Sequence, residues 1–434
     1  MRKHFPFIIA GLLLFLFMSV AAKAQAHKIT PNSDKITEIR VLGSQRFQSS
    51  ELSAATGLKI GGAGDDAALK QAADRLAESG MFTNVTYSYV SSPQGTQVKF
   101  QVNDADKLYP VNADNFVWLS PSELQNELKK REPLFRGEVP NAGEMYTKLA
   151  DDMTAILTDM HISGTVRAFP QVPQSGGAIT GFLYSVGGVN IPVRSIDFVG
   201  ASPEMNAVLQ KVAASTVIDT NYSISKLRSN TDLDFLPQYR MRGFLQASFG
   251  DPIGKLQDPA TGAVNVQLPV KEGLQYKLSG VQWSGNMAFS TDDLSKSLRL
   301  KIGQPLNEVE LDEELGGITR IYGTRGYMDA RLKPSFTFDA GGASAMVHIE
   351  AQEGDQYHFG ELGFANVSES AVAPLRKLWK LRPGDPYDSS YPGMFISQAG
   401  RTFDFSQFRI QVDEQAHRET KTVDVVFRFT KINP

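Results

Sequence analysis

The chain has 434 residues, with 44 Lys and Arg against 47 Asp and Glu, a net charge of −3, 41% hydrophobic residues and no cysteine. This near-neutral balance argues against nucleic acid or an anionic membrane surface as the main partner, and the missing cysteine excludes disulfide staples and thiolate metal sites. A secreted chain that cannot be cross-linked has to bury apolar cores.

The first residues read as a targeting segment. Arg2, Lys3 and His4 make a basic start, Phe7 to Val20 is apolar, and Ala24-Gln25-Ala26 has the small-x-small form of a cleavage site. Residues 1–26 are expected to be a cleavable secretory signal, with an uncleaved anchor as the alternative. The mature chain would begin near His27. No later apolar run is long enough for a membrane helix, and the cysteine-free composition fits the bacterial periplasm.

From there a pattern recurs. Gly80, Gly164, Gly243 and Gly326 each follow a helix-like stretch and precede a strand-like one, about 80 residues apart, which marks a repeat architecture. A fifth copy, without the glycine, begins at Phe403. The expected domains are 27–104, 105–191, 192–272, 273–354 and 355–434. Each is an α+β unit of order β-α-α-β-β, with a three-stranded mixed sheet and two helices on one face.

The first copy has a strand over Ile36 to Leu42, a helix cap at Ser49, the connector Leu58-Lys59-Ile60-Gly61 and a hairpin turn at Pro93-Gln94-Gly95. The second is divergent. Ser120-Pro121-Ser122-Glu123 starts its helix, but its connector lacks Gly-x-Pro and its hairpin, from Val172 to Gly177, is long. The third has a strand over Ser195 to Gly200, then Ser202-Pro203, a cap with proline at the first helical position. The fourth is the clearest. Its strand Tyr276 to Trp283 is followed by a helix capped at Ser290 and carrying Leu294, Leu298 and Leu300. A second helix from Asn307 spaces Val309, Leu311, Leu315, Ile318 and Tyr322 on one face. Two strands, Tyr327 to Phe338 and Ala345 to Ala351, flank a turn at Asp339 to Gly342. The fifth repeats this text from Phe359, with a cap near Ser368. Its connector Gly384-Asp385-Pro386 aligns with Gly303-Gln304-Pro305.

Catalytic signatures are missing: no nucleophile elbow, no His-Glu-x-x-His and no phosphate loop. His348 should face away from the core formed by Val347 and Ile349. Asp65-Asp66, Asp151-Asp152 and Asp292-Asp293 are expected at helix starts, where the dipole favours them. Trp118, Trp283 and Trp379 are expected to pack. No enzyme activity, cofactor or metal is therefore expected.

The β-α-α-β-β order, the Gly-x-Pro connector, the Gly-aromatic pairs Gly243-Phe244 and Gly326-Tyr327 and the strand-ending Glu272-Gly273 and Glu353-Gly354 resemble polypeptide-transport-associated (POTRA) domains. The array is similar to the periplasmic part of outer-membrane assembly factors of the BamA and TamA type. Those carry a membrane barrel after the array, whereas Val423 to Phe429 is expected to be the last strand here, with no barrel following. The resemblance implies a non-enzymatic periplasmic scaffold or chaperone-like protein, peripheral to the outer membrane. Its partners would be barrel precursors or a separate barrel or assembly-machine protein. A rigid spacer without client capture is the alternative, and an enzyme a distant one.

The family's sheet order also puts the second strand at an edge, where an extended peptide can add as a further strand. The candidate edges are Phe82 to Val90, Phe244 to Phe249, Tyr327 to Lys333 and Phe405 to Val412. The third is guarded by Asp329, Arg331, Lys333 and Pro334. The second, Phe244-Leu245-Gln246-Ala247-Ser248-Phe249, carries no charge and is the expected peptide-binding edge.

Overall fold

The computed structural model describes residues 35–173, 175–258 and 262–432. The signal segment expected at 1–26 lies outside them. The described chain forms two compact units, one up to Asn190 and one from Ile191.

The first unit opens with β1 (Ile36–Leu42), α1 (Ser49–Thr56), α2 (Asp66–Glu78), β2 (Phe82–Ser92) and β3 (Gly95–Asp104). β3 lies in the middle, parallel to β1 and antiparallel to β2. The strand period of two decides the faces. Val98, Phe100 and Val102 are buried on the helix side, while Gln97, Lys99 and Gln101 point to the open side. α1 is capped by Gln48 rather than Ser49, with the Gln48 amide donating to the Glu51 carboxylate at 3.0 Å. α2 starts at Asp65, whose carboxylate accepts the Ala68 amide at 2.8 Å.

Next come β4 (Tyr109–Ala113), α3 (Pro121–Arg131), β5 (Glu138–Val139), α4 (Met145–Asp159), β6 (Thr165–Gln171) and β7 (Gly181–Gly187). Their sheet runs β5-β4-β7-β6, so the divergent repeat has four strands where three were expected. Asp151 and Asp152 sit inside α4, not at its start. The two repeats share one continuous core, running from Val41, Phe47 and Phe82 through Phe116 and Phe135 to Tyr184 and Val186. Each such fully buried side chain contributes about 1.5–3 kcal/mol.

The second unit starts with β8 (Val193–Val199), α5 (Pro203–Thr216), α6 (Ile224–Asn230), α7 (Leu236–Arg240), β9 (Ser248–Phe249), β10 (Ile253–Asp258) and β11 (Ala263–Lys271). Between α6 and α7 lies a π turn, Thr231–Phe235. Pro237 follows it: proline has no amide and its ring crowds the preceding turn, so the helix is wound wider just before it. Then β12 (Lys277–Ser284), α8 (Thr291–Lys296), α9 (Glu308–Gly323), β13 (Arg331–Asp339) and β14 (Ser344–Gln352) repeat the plan. So do β15 (His358–Ala365), α10 (Glu369–Leu378), α11 (Tyr391–Ala399), β16 (Phe408–His417) and β17 (Thr422–Lys431). The orders are β12-β14-β13 and β15-β17-β16, again with the last strand central.

Ser290 caps α8 as expected, accepting the Asp293 amide at 3.1 Å, but the helix ends at Lys296 and leaves Leu298 and Leu300 beyond it. β13 begins four residues later than Tyr327, because Tyr327 to Ala330 form turns. Trp118, Trp283 and Trp379 all pack against cores. His348 lies on the open face of its sheet, against the Thr337 hydroxyl at 3.0 Å.

Candidate functional site

A β-α-α-β-β sheet with its last strand central has two edges, the first strand and the second. The first is closed at its start by the connector between the helices. The Leu278 amide donates to the Gln304 carbonyl at 2.9 Å, and the Gly303 amide returns to the Leu278 carbonyl at 2.8 Å. Phe359 makes the same pair with Asp385 and Gly384, and Ile36 with Gly62 and Gly61. This requires a left-handed residue in the connector: Gly61, Gly303 and Gly384 have φ of 81°, 82° and 92°. A Cβ at these three glycines would meet nothing within 4 Å, so glycine serves backbone conformation here and not space. In the third repeat Asp219 occupies this place with φ 61°, its amide donating to the Val193 carbonyl.

The second strand is therefore the edge left open along its length, and the repeats differ in how they guard it. β6 carries Arg167 and Pro170. β13 carries Arg331, Lys333 and Pro334. β16 carries Arg409, Asp413 and Glu414. In the third repeat the edge is broken between β9 and β10 at Gly250-Asp251-Pro252. Beyond the break, the Gly254 amide donates to the Tyr222 hydroxyl at 3.0 Å. Charges, proline and breaks of register all discourage strand addition.

β2, the eleven residues Phe82 to Ser92, has neither charge nor proline, and its one register shift, between Phe82 and Asn84, lies at its start and leaves Asn84 to Ser92 in unbroken pairing. Its pairing with β3 shows which amides are free. The Thr96 amide donates to the Lys35 carbonyl at 2.8 Å, away from β2, so the Ser91–Thr96 pair exchanges no backbone bonds. In an antiparallel ladder the bonded and non-bonded pairs alternate, which turns the amides of Tyr87 and Tyr89 outward as well. On the helix side Val85, Tyr87 and Tyr89 are partly buried against the core, and on the open side Asn84, Thr86, Ser88 and Val90 reach solvent. An added strand would meet an apolar, aromatic face on one side and a polar one on the other. Burial pushes the Tyr87 phenol up, and the nearby Asp66 carboxylate adds to this, so the ring is neutral.

The segment Phe244 to Phe249 is not the open strand that its composition suggested. Only Ser248 and Phe249 pair, with Lys271 and Val270. Phe244 to Ala247 turn, with the Ala247 amide donating to the Phe244 carbonyl at 3.1 Å. The Phe244 and Phe249 rings lie edge-on to Tyr239 at 5.7 Å and 5.8 Å. Leu245 packs against the core of the next repeat, and the Gln246 side-chain oxygen accepts the Tyr276 hydroxyl at 2.8 Å. Tertiary contacts thus occupy the very side chains that looked free. Uncharged composition was shared by two candidate strands, and length separates them: β2 is followed by a tight hairpin and a ten-residue partner, β3.

Among the described residues there is no group of three or more His, Asp and Glu placed to hold a metal ion, and no helix is long and apolar enough to cross a membrane.

Known proteins share this plan. The POTRA family model, described as a surface antigen variable number repeat, matches residues 35–105 and 276–354. Over 265 residues the chain is 24% identical to a putative outer membrane protein assembly factor of Treponema pallidum, covering 58% of this chain and 31% of that protein. Over 249 residues it is 22% identical to the outer membrane protein assembly factor BamA of Neisseria meningitidis serogroup B, covering 54% of this chain and 31% of that protein. The chain thus spans less than a third of the length of these relatives. A crystal structure of Haemophilus influenzae BamA POTRA3-5 is 20% identical, with a TM-score of 0.43, covering 56% of this chain and 100% of that one. The N-terminal domain of Omp85 from Thermosynechococcus elongatus is 18% identical, with a TM-score of 0.24, covering 57% of this chain and 98% of that one.

Proposed function

Because the chain carries POTRA domains and is homologous to outer-membrane assembly factors, we propose that it is a non-enzymatic periplasmic scaffold that holds extended polypeptides during outer-membrane protein assembly. The binding mode is strand addition at β2. One observation carries this reading: among the second-strand edges, β2 alone is long, uncharged and free of proline. Backbone donors on such an edge give affinity with little sequence preference, as a receptor for many clients needs. The clients are barrel-precursor strands of alternating apolar and polar residues, since the two sides of β2 differ in the same way. The domains end near residues 104, 191, 272 and 354, and residues 1–26 direct export.

The test is the outward amide of Tyr89. Tyr89→Pro removes it, and Tyr89→Ala keeps it while losing the same ring. Tyr89→Pro should bind a barrel-precursor peptide at least tenfold more weakly than Tyr89→Ala, with matching circular dichroism spectra. Equal affinity in the two variants would sink strand addition here. A rigid spacer is the second reading, and the joints between the last three repeats favour it.

A further inference from the structure

An unguarded edge strand is a template for any extended chain, the same strand of a second copy included. The unbroken pairing of β2 with β3 runs from Asn84 to Ser92, so its midpoint is Ser88. Bonded and non-bonded pairs alternate along this ladder, and the Ser91–Thr96 pair exchanges no backbone bonds. The amides and carbonyls of Val85, Tyr87, Tyr89 and Ser91 therefore point away from β3, and those of Thr86, Ser88 and Val90 point toward it.

A two-fold axis through Ser88 makes this strand complementary to itself. It sets Tyr87 of one copy opposite Tyr89 of the other, Val85 opposite Ser91, and Thr86 opposite Val90. Every outward residue then faces another outward residue, and with an amide and a carbonyl on each they form about eight backbone hydrogen bonds. An axis at Tyr87 or Tyr89 leaves about six, because one end of the unbroken span then has no partner. Like charges directly opposite one another forbid such self-pairing in most strands, and β2 carries no charge. The acids that α2 sets beside Tyr87, Asp66 and Asp74, are offset in part by Lys70, which pairs with Asp74 at 2.6 Å. On the helix side the half-buried rings of Tyr87 and Tyr89 meet those of the other copy, and aromatic pairs across strands stabilise a ladder. On the open side the facing residues are small and neutral.

We infer that the chain pairs with a second copy of itself through β2, joining two three-stranded sheets edge to edge across a two-fold axis at Ser88. The assembly closes at two copies. The axis uses up the unguarded second strand of each, and the other described second strands carry charge, proline or a break. One strand pair is small beside a standard interface of roughly 1,600 Å², so the dimer is weak and exchanges with monomer. Dimer and client then compete for the same amides, and the paired form is a resting state that shields the edge from indiscriminate addition. That competition rests on the client reading of β2; the dimer itself does not.

The chain has no native cysteine, so one introduced at the axis reports the pairing. The two Ser88 residues would form a non-bonded pair with Cα atoms about 4.5 Å apart, within reach of a disulfide. Ser88→Cys should therefore cross-link into a covalent dimer under mild oxidation at micromolar protein. Thr86→Cys, also exposed on the open face, would hold its two sulfurs about 13 Å apart along the strands and should cross-link at least tenfold less. Sedimentation velocity of the unaltered chain should show a concentration-dependent exchange between monomer and dimer. Ser88→Lys sets two cations against each other on the axis, and should weaken the dimer at least tenfold with an unchanged circular dichroism spectrum. A chain that stays monomeric at high concentration, or that cross-links equally from both cysteines, would overturn the dimer. It would leave strand addition by clients standing, since Tyr89→Pro against Tyr89→Ala decides that separately. A barrel-precursor peptide that binds in that comparison yet leaves the dimer intact would overturn the competition.

Discussion

Glu272 directly follows β11, and its carboxylate fastens the third repeat from inside. One of its oxygens accepts the Ser202 amide at 2.8 Å, the Ser202 hydroxyl at 3.1 Å and the Tyr239 hydroxyl at 2.9 Å. Burial, then the Glu272 carboxylate, pushes the Tyr239 phenol well above its ordinary range, so it stays a neutral donor. Glu272→Ala strands a fully buried hydroxyl and leaves the amide that opens the turn into α5 without its acceptor. Hydrogen bonds to charged groups contribute ~1.5–3 kcal/mol each, so losing two should cost about 3–6 kcal/mol. Tyr239→Phe removes only one such donor and should cost about 1.5–3 kcal/mol. Because the chain has several cooperative units, one melting curve would mix them. Native-state hydrogen exchange on the amides of β8, β11 and α5 reads the third repeat alone. The double variant should cost less than the sum of the singles, since both remove the same bond. If Glu272→Ala lowers the exchange free energy no more than Tyr239→Phe does, the carboxylate is a bystander. The same acid recurs: Glu353 accepts the Ala288 amide at 2.8 Å, and Asp104 the Gln45 amide at 2.8 Å.

Two further outcomes concern the first unit. Glu51 is held below the usual carboxylate range by the Gln48 amide first, and then by Lys129 at 3.2 Å and Arg136 at 2.5 Å across the joint between the first two repeats. Its folded pKa is depressed, so its contribution is present above the unfolded value and fades as pH falls through the folded one. Glu51→Gln should therefore destabilise the unit slightly at pH 7, by less than about 1 kcal/mol, with the difference vanishing in acid and in high salt. A difference that persists in acid, measured by denaturant titration, would refute the ionic account. Asp152 behaves in the opposite sense. Burial raises its pKa, with Glu132 adding to this, and its Oδ2 has no hydrogen-bond partner. Its folded pKa lies above the unfolded one, so ionisation weakens the fold as pH rises between the two values and above. Asp152→Asn should raise the midpoint of unfolding at pH 7 and lose that advantage below about pH 4, where the unfolded carboxyl is protonated. A variant less stable at pH 7 would show that the charge is satisfied after all.

Much of this architecture is written locally. Period-two burial marks β3, β11, β14 and β17; Ser120, Ser202 and Ser290 cap helices with a side-chain oxygen; two of the left-handed connector glycines, Gly303 and Gly384, are visible as Gly-x-Pro. These features are legible because each depends on a few neighbouring residues. The π turn before Pro237 and the short strand β5 were not, since they answer to the packing around them. The role of the recurring glycine was legible only by half. Its spacing shows that the backbone there is special, yet Gly243 and Gly326 are notched by peptide groups more than thirty residues further along the chain, which no local pattern displays.

The same division decides the candidate site. By itself the sequence determined a repeated α+β unit, its resemblance to a known family implied that second strands are edges, and two of the candidate edges carry no charge. Whether an uncharged edge is open depends on what the rest of the chain places against it. Phe244 to Ala247 are folded into a turn, with Leu245 and Gln246 taken up by the next repeat, while the outward amides of β2, those of Tyr87 and Tyr89 among them, stand free because β1 lies on the far side of β3. Hydrogen-bonding capacity is a property of composition; its availability is a property of long-range contacts, and only the tertiary structure settles that.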